Sequence, residues 1–118
     1  MSQQSPDEVL RTHRQELRRG TVVAASLAAL RTPGYGYALL EELARHGIEV
    51  EANTLYPLLR RLEEQALLTS EWNPDQSRPR RVYRTSPAGE QVLTTLLADL
   101  EAIRTSLSSI TQHPNGAR

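Results

Sequence analysis

The chain has 118 residues, 38% of them hydrophobic, and its fourteen basic and fourteen acidic residues cancel. That length suits one domain with a modest core, near the size at which burial against a second copy helps, and zero net charge argues neither for nor against nucleic acid. The absence of cysteine excludes a disulfide framework and thiolate metal sites, and is consistent with a reducing compartment.

His13, His46 and His113 are far apart along the chain. Metal and triad chemistry need several such groups converging, so each is read as a surface residue and no metal or other cofactor is expected. No apolar run approaches a membrane span, and the start "MSQQSPDEVL" has neither the basic nor the greasy segment of a signal peptide. A cytoplasmic protein without membrane contact is expected.

"SPDE" at residues 5–8 is a capping box: Ser5 can accept from the Glu8 amide, the Glu8 carboxylate can reach back, and Pro6 suits the first helical position. The helix starting there runs to Gly20, where it breaks or bends. A more apolar stretch, "TVVAASLAALR", follows to Arg31, with Val22, Val23, Leu27 and Leu30 as its buried stripe. "TPGYG" reads as a turn, because proline and two glycines discourage helix. "YALLEELARHG" reads as a short amphipathic helix that Gly47 ends.

After the linker "IEVEA" comes "NTLYPLLRRLEEQALL". Leu55, Leu58, Leu59, Leu62 and Ala66 fall on one helical face, the core side. Pro57 lacks an amide hydrogen and is harmless only in a first turn, which predicts an N-cap at Thr54, or at Asn53 with some distortion. "LLTSEWN" and "RRVYRTS" read as two strands joined by the projecting loop "PDQSRP". Trp72 and Tyr83 are expected to pack within that sheet. "SPAGEQ" restarts helix, with Ser86 as N-cap and Pro87 at the first position. Leu93, Leu96, Leu100, Ile103, Leu107 and Ile110 then recur as a heptad seam, and the tail "TQHPNGAR" is expected to fray.

The predicted fold class is mostly α with a small β-hairpin (α+β): a winged helix-turn-helix domain with an N-terminal helix and one C-terminal dimerisation helix. Its boundaries are residues 1–20 for the N-terminal helical extension, 21–86 for the winged helix-turn-helix, 87–111 for the dimerisation helix and 112–118 for a disordered tail. In this order of elements the second helix of the pair enters the DNA major groove and the hairpin lies on the backbone or minor groove beside it.

The charge distribution fits that arrangement. Every basic residue is arginine, and Arg78, Arg80, Arg81 and Arg84 fall within "RPRRVYR", which holds no acid. Thr54, Tyr56 and Pro57 lie at the N-terminal end of helix 54–66, where free amides favour phosphate oxygens, and Arg60 and Arg61 follow one turn later. A guanidinium can pair bidentately with guanine or phosphate. Taken alone, the helix is better explained as an ordinary amphipathic segment with Arg60 and Arg61 pairing with Glu63 and Glu64. The arginine-rich hairpin beyond it tips the reading toward double-stranded DNA.

"LRRGTVVAASLAAL", "GYGYALLEEL", "NTLYPLLRRLEEQALLTSEW" and "RRVYRTSPAGEQVL" resemble, in order and spacing, the PadR family of bacterial winged-helix transcriptional regulators, over about residues 17–100. The resemblance implies a homodimeric repressor whose first and last helices build the dimer and whose "TLYPLL" helix reads the operator. It assigns Thr54, Tyr56 and Pro57 to that helix, Arg78, Arg80 and Arg81 to the basic side of the wing, and Tyr35 and Tyr37 to the start of the preceding helix; Asn53, Arg60 and Arg61 join them as DNA-binding candidates on the residue reading. Two departures stand out. The wing "NPDQSRPRR" has two prolines where the family often has glycines, and the last helix is short, as in the compact branch, and has no tryptophan.

The dimer interface is expected along Leu93, Leu96, Leu100, Ile103, Leu107 and Ile110, because beyond Leu100 the apolar stripe narrows to the width of a partner helix. A two-fold dimer requires a near-palindromic operator. A small-molecule effector of unknown identity could relieve repression only by binding two wing arrangements unequally. The alternative is a dimeric adaptor whose arginines contact an acidic protein partner. No acid/base pair, phosphate loop or activated nucleophile is apparent, so an enzyme is not expected.

Overall fold

The first helix, α1 (Pro6–Arg19), begins where its capping box dictates. In the computed structural model, which describes residues 3–74 and 80–113, the Ser5 amide donates to Glu8 Oε1 at 3.0 Å and the Glu8 amide donates to Ser5 Oγ at 3.2 Å. The bond from the Ser5 backbone, with the Ser5 side chain adding to it, holds the Glu8 carboxyl below its ordinary range. The wing tip at 75–79, which includes Arg78, and the tail at 114–118 lie outside the described residues.

Gly20 separates α1 from α2 (Thr21–Ala29), which sinks Val22 and Leu27 into the core, followed at its end by Leu30. Val23 is only partly covered. Residues 34 and 35, expected as a turn, instead form a strand, β1 (Gly34–Tyr35), and α3 (Gly36–Arg45) follows at once. β2 (Leu68–Asn73) and β3 (Arg80–Thr85) form the expected hairpin, and β1 pairs antiparallel with β3 through Gly34↔Tyr83 and Tyr35↔Val82. The sheet therefore has three strands in the order β1-β3-β2. A two-residue strand has no periodicity of its own and exists only because β3 offers an edge.

Helix α4 (Ala52–Glu64) corrects the predicted cap. Its N-cap is Glu51, whose carbonyl accepts from the Thr54 and Leu55 amides at 3.0 and 2.9 Å, so neither Thr54 nor Asn53 caps the helix. Pro57 therefore sits inside the helix, in its second turn. Its missing amide deletes only the bond to the Asn53 carbonyl, in a turn that is exposed at residues 53 and 54 and open to water. Leu55, Leu58, Leu59 and Leu62 form the buried face as expected. Ala66 does not share it: it is exposed, beyond the helix end, with φ +63°. The Ala66 amide donates to the Glu63 carbonyl and the Leu67 amide to the Leu62 carbonyl, both at 2.9 Å, closing α4 with a Schellman motif. Gly47, at φ +81°, closes α3 with the same pair of bonds.

The core is almost all leucine, with Val22 and Tyr83 the exceptions. Thr85 ties the sheet to α2 by donating its hydroxyl to the Leu27 carbonyl at 2.7 Å and its amide to the Leu30 carbonyl at 2.8 Å. Helix α5 (Pro87–Gln112) starts as predicted, Ser86 Oγ accepting from the Gly89 amide. Its first turn lies so close to the start of β2 that a Cβ on Gly89 would fall 2.2 Å from the Leu67 carbonyl oxygen. Leu93 is 3% exposed and belongs to the protomer's own core, so it is unavailable to a partner helix. Past Leu96, which is half-buried, α5 leaves the body, and Leu100, Ile103, Leu107 and Ile110 are all more than half exposed.

Candidate nucleic-acid interface

Two elements that the core does not cover flank one open cleft of about 580 Å³. On one side is the N-terminal half of α4, contributing Tyr56. On the other is the wing hairpin, contributing Trp72, Arg80 and Arg81, and the start of α3 closes the gap with Tyr35 and Tyr37. Gly36 makes the close approach of α3 possible: a Cβ there would lie 2.6 Å from Tyr56 Cε1.

Of the described wing arginines, Arg80 and Arg81 are held on aromatic faces. The Arg80 guanidinium lies 4.6 Å from the centroid of Tyr37, which stacks on Tyr35 at 5.6 Å with 12° between the planes. The Tyr35 hydroxyl accepts from Asn73 Nδ2 at 2.7 Å. Arg81 lies 4.8 Å from the centroid of Trp72 and donates to Ser70 Oγ at 2.8 Å, while the Ser70 hydroxyl donates to Glu63 Oε2 at 2.5 Å. A guanidinium stacked on a ring keeps the N–H groups at its edge available to an anion.

The ion pairs among the described residues are Arg19–Glu16, Arg45–Glu42 with His46 beside it, and Arg104–Glu101. Arg60, Arg61, Arg80 and Arg81 enter none of them, so the alternative in which Arg60 and Arg61 pair with Glu63 and Glu64 is not what the helix does. Burial, with the Glu63 carboxylate adding to it, pushes the Tyr83 phenol above its ordinary range; Arg81 and Arg60 act in the opposite sense. Tyr83 is accordingly a neutral packing residue, 8% exposed.

The predicted site residues are thus partly gathered. Tyr35, Tyr37, Tyr56, Arg80 and Arg81 converge on the cleft. Pro57, Arg60 and Arg61 are exposed on α4 outside it, and Asn53 is exposed in the helix's first turn. Thr54 lines a separate cleft against α1, with Arg18 and Arg19 but also with Glu49 and Glu51. Sequence reasoning missed Asn73, and it misplaced Trp72, which is 59% exposed instead of packed in the sheet. The reason is strand length: along one face of β2, Leu68 is buried, Ser70 half-buried and Trp72 open, because the hairpin outruns the core. The pairing Trp72↔Arg81 that sets ring beside guanidinium is a matter of hairpin register, which the residue pattern alone does not specify.

Among the described residues no cluster of His, Asp or Glu could hold a metal, and no helix is long and apolar enough to cross a membrane. A helical pair whose second member stands exposed beside a cationic hairpin defines a winged helix-turn-helix protein. Residues 26–95 match the Transcriptional regulator PadR-like family. The chain belongs to that family of transcriptional regulators. It is 52% identical over 60 residues to Transcriptional regulator Rv3488 of Mycobacterium tuberculosis, a match covering 51% of this chain and 56% of that protein, so the likeness spans little more than half the length of the relative. The crystal structure of a PadR family transcriptional regulator from Eggerthella lenta superposes with a TM-score of 0.86 at 48% identity, covering 89% of this chain and 94% of that one. The fold is also that of Bacillus subtilis PadR in complex with operator DNA, at TM-score 0.60 and 20% identity, over 65% of this chain and 45% of that one.

Proposed function

We propose that this chain is a homodimeric, sequence-specific double-stranded-DNA-binding regulator, a repressor that occupies a near-palindromic operator and is relieved by an effector of unknown identity. The single observation that carries the reading is the cleft that Tyr56 of α4 shares with the wing's ring-held Arg80 and Arg81. Pro57, Arg60 and Arg61 are exposed elsewhere on the same helix, and none of these four arginines is in an ion pair with a described residue. In this reading α4 enters the major groove by its N-terminal end, with Asn53, Thr54 and Tyr56 toward the bases or phosphates, and Arg78, Arg80 and Arg81 follow the backbone or minor groove. The outer half of α5, from Leu96 to Ile110, joins the two copies. Residues 21–86 are the DNA-binding unit, residues 1–20 an extension that packs across the dimer, and catalysis has no part in the role. As a regulator of promoter DNA the protein works in the cytoplasm.

The test is selection of bound duplexes from a random pool by the purified protein. An enriched inverted repeat is expected. No enrichment of any duplex would instead favour the adaptor that binds an acidic protein.

A further inference from the structure

The hairpin end that bears Arg80 has almost nothing under it. β1 supports β3 only as far as Tyr35↔Val82, and beyond that point β2 and β3 continue as a bare ribbon through Trp72↔Arg81 and Asn73↔Arg80. A two-stranded ribbon alone is marginal in water. Yet both residues of its outermost described pair are tied to the same aromatic stack: Asn73 donates to the Tyr35 hydroxyl at 2.7 Å, and Arg80 lies over Tyr37, which stacks on Tyr35. Tyr35 is fixed in turn, since its backbone belongs to β1 and caps α3.

We infer that Tyr35 and Asn73 are positioning residues that aim the wing: their side-chain bond holds the ribbon against the Tyr35–Tyr37 stack so that Arg80 is already oriented when DNA arrives. This deepens the proposed function and rests on it, and it gives Tyr35 a role other than touching DNA. Ordering a long, rotamer-rich side chain on binding weakens association, and fixing it beforehand strengthens it. The Tyr35 hydroxyl thus acts on DNA through Arg80.

Tyr35→Phe keeps the ring and the stack and removes only the acceptor; Asn73→Ala removes the donor. Two measurements separate the possibilities. In the free protein, amide hydrogen exchange at residues 71–73 and 80–82 should quicken in both variants while α4 is unchanged. On an isolated half-site of the selected duplex, each variant should bind roughly threefold to tenfold more weakly, the loss of about one hydrogen bond. Placed in an Arg80→Ala background, Tyr35→Phe should cause no further loss. Equal loss with and without Arg80 would mean that Tyr35 touches DNA directly, and unchanged wing exchange in both variants would mean that no strap exists; either overturns the inference. If no duplex is selected at all, the proposed function fails, while the exchange measurement still decides the strap.

Discussion

Ala66 and Gly47 occupy the same position in the same helix-ending motif, at φ +63° and +81°, and differ by one methyl group. For an L-residue that conformation is disfavoured by about 1–2 kcal/mol, whereas glycine adopts it freely. The methyl group is exposed, so removing it sacrifices little packing. Glycine also enlarges the unfolded ensemble, which offsets roughly 0.4–1 kcal/mol. Ala66→Gly should therefore stabilise the fold by about 0.5–1 kcal/mol, read as a higher urea midpoint with unchanged m, and Gly47→Ala should lower the midpoint. The contrast also shows what sequence can reveal at this scale. Gly47 was legible because glycine after an amphipathic run is itself a stop signal. Ala66 was not, because an alanine four residues past Leu62 continues the helical pattern, and only the backbone turn beyond Glu64 takes it out of register.

At the scale of elements, the helices α1, α2, α3 and α5 were legible because their ends carry chemistry: the Ser5–Glu8 box, Gly20, Gly47, and Ser86 with Pro87. What escaped were features set by a neighbour. β1 exists through β3, the α4 cap falls on a glutamate with no side-chain bond, and Trp72 stands open because β2 passes beyond the leucine core. The candidate site was legible as residue types but not as a layout: the stacking of Arg80 and Arg81 on Tyr37 and Trp72 depends on register across the hairpin. That layout makes the wing a separable element. An Arg80→Ala, Arg81→Ala double variant removes two cation–π contacts of about 0.5–1 kcal/mol each at the periphery and touches no core residue. It should fold and assemble like the parent while losing duplex affinity. The slope of log K against log salt should become shallower by up to about 1.8 per protomer, about 3.6 for the dimer on the full repeat, if each guanidinium neutralises one phosphate. Full affinity with an unaltered slope would take the wing out of the interface.

For the whole molecule, the decisive feature is apolar surface that one protomer leaves in water. Leu100, Ile103, Leu107 and Ile110 line the outer half of α5, and α1 adds Val9, Leu10 and Leu17 without burying a single residue. The molecule spans 61 × 40 × 24 Å, an extended shape for so short a chain. A two-fold partner would cover both stripes, and each side chain counts twice across an isologous seam. Fully burying an aliphatic side chain is worth about 1.5–3 kcal/mol, and roughly half of that remains to be gained at positions already half-covered. Ile103→Glu tests this directly, because the residue is 56% exposed in the protomer and the change should leave the winged domain folded. In the dimer it would bring two carboxylates to a desolvated seam, so sedimentation should report a single chain at concentrations where the parent is paired. Two linked recognition helices convert the second half-site contact into an intramolecular event worth about 10²–10⁴ in avidity. The variant should therefore bind the full inverted repeat hundreds of times more weakly, on the order of that factor, while its affinity for an isolated half-site matches the parent's. An Ile103→Glu protein that keeps the parental mass, or that loses half-site affinity as well, would move the dimer seam away from α5.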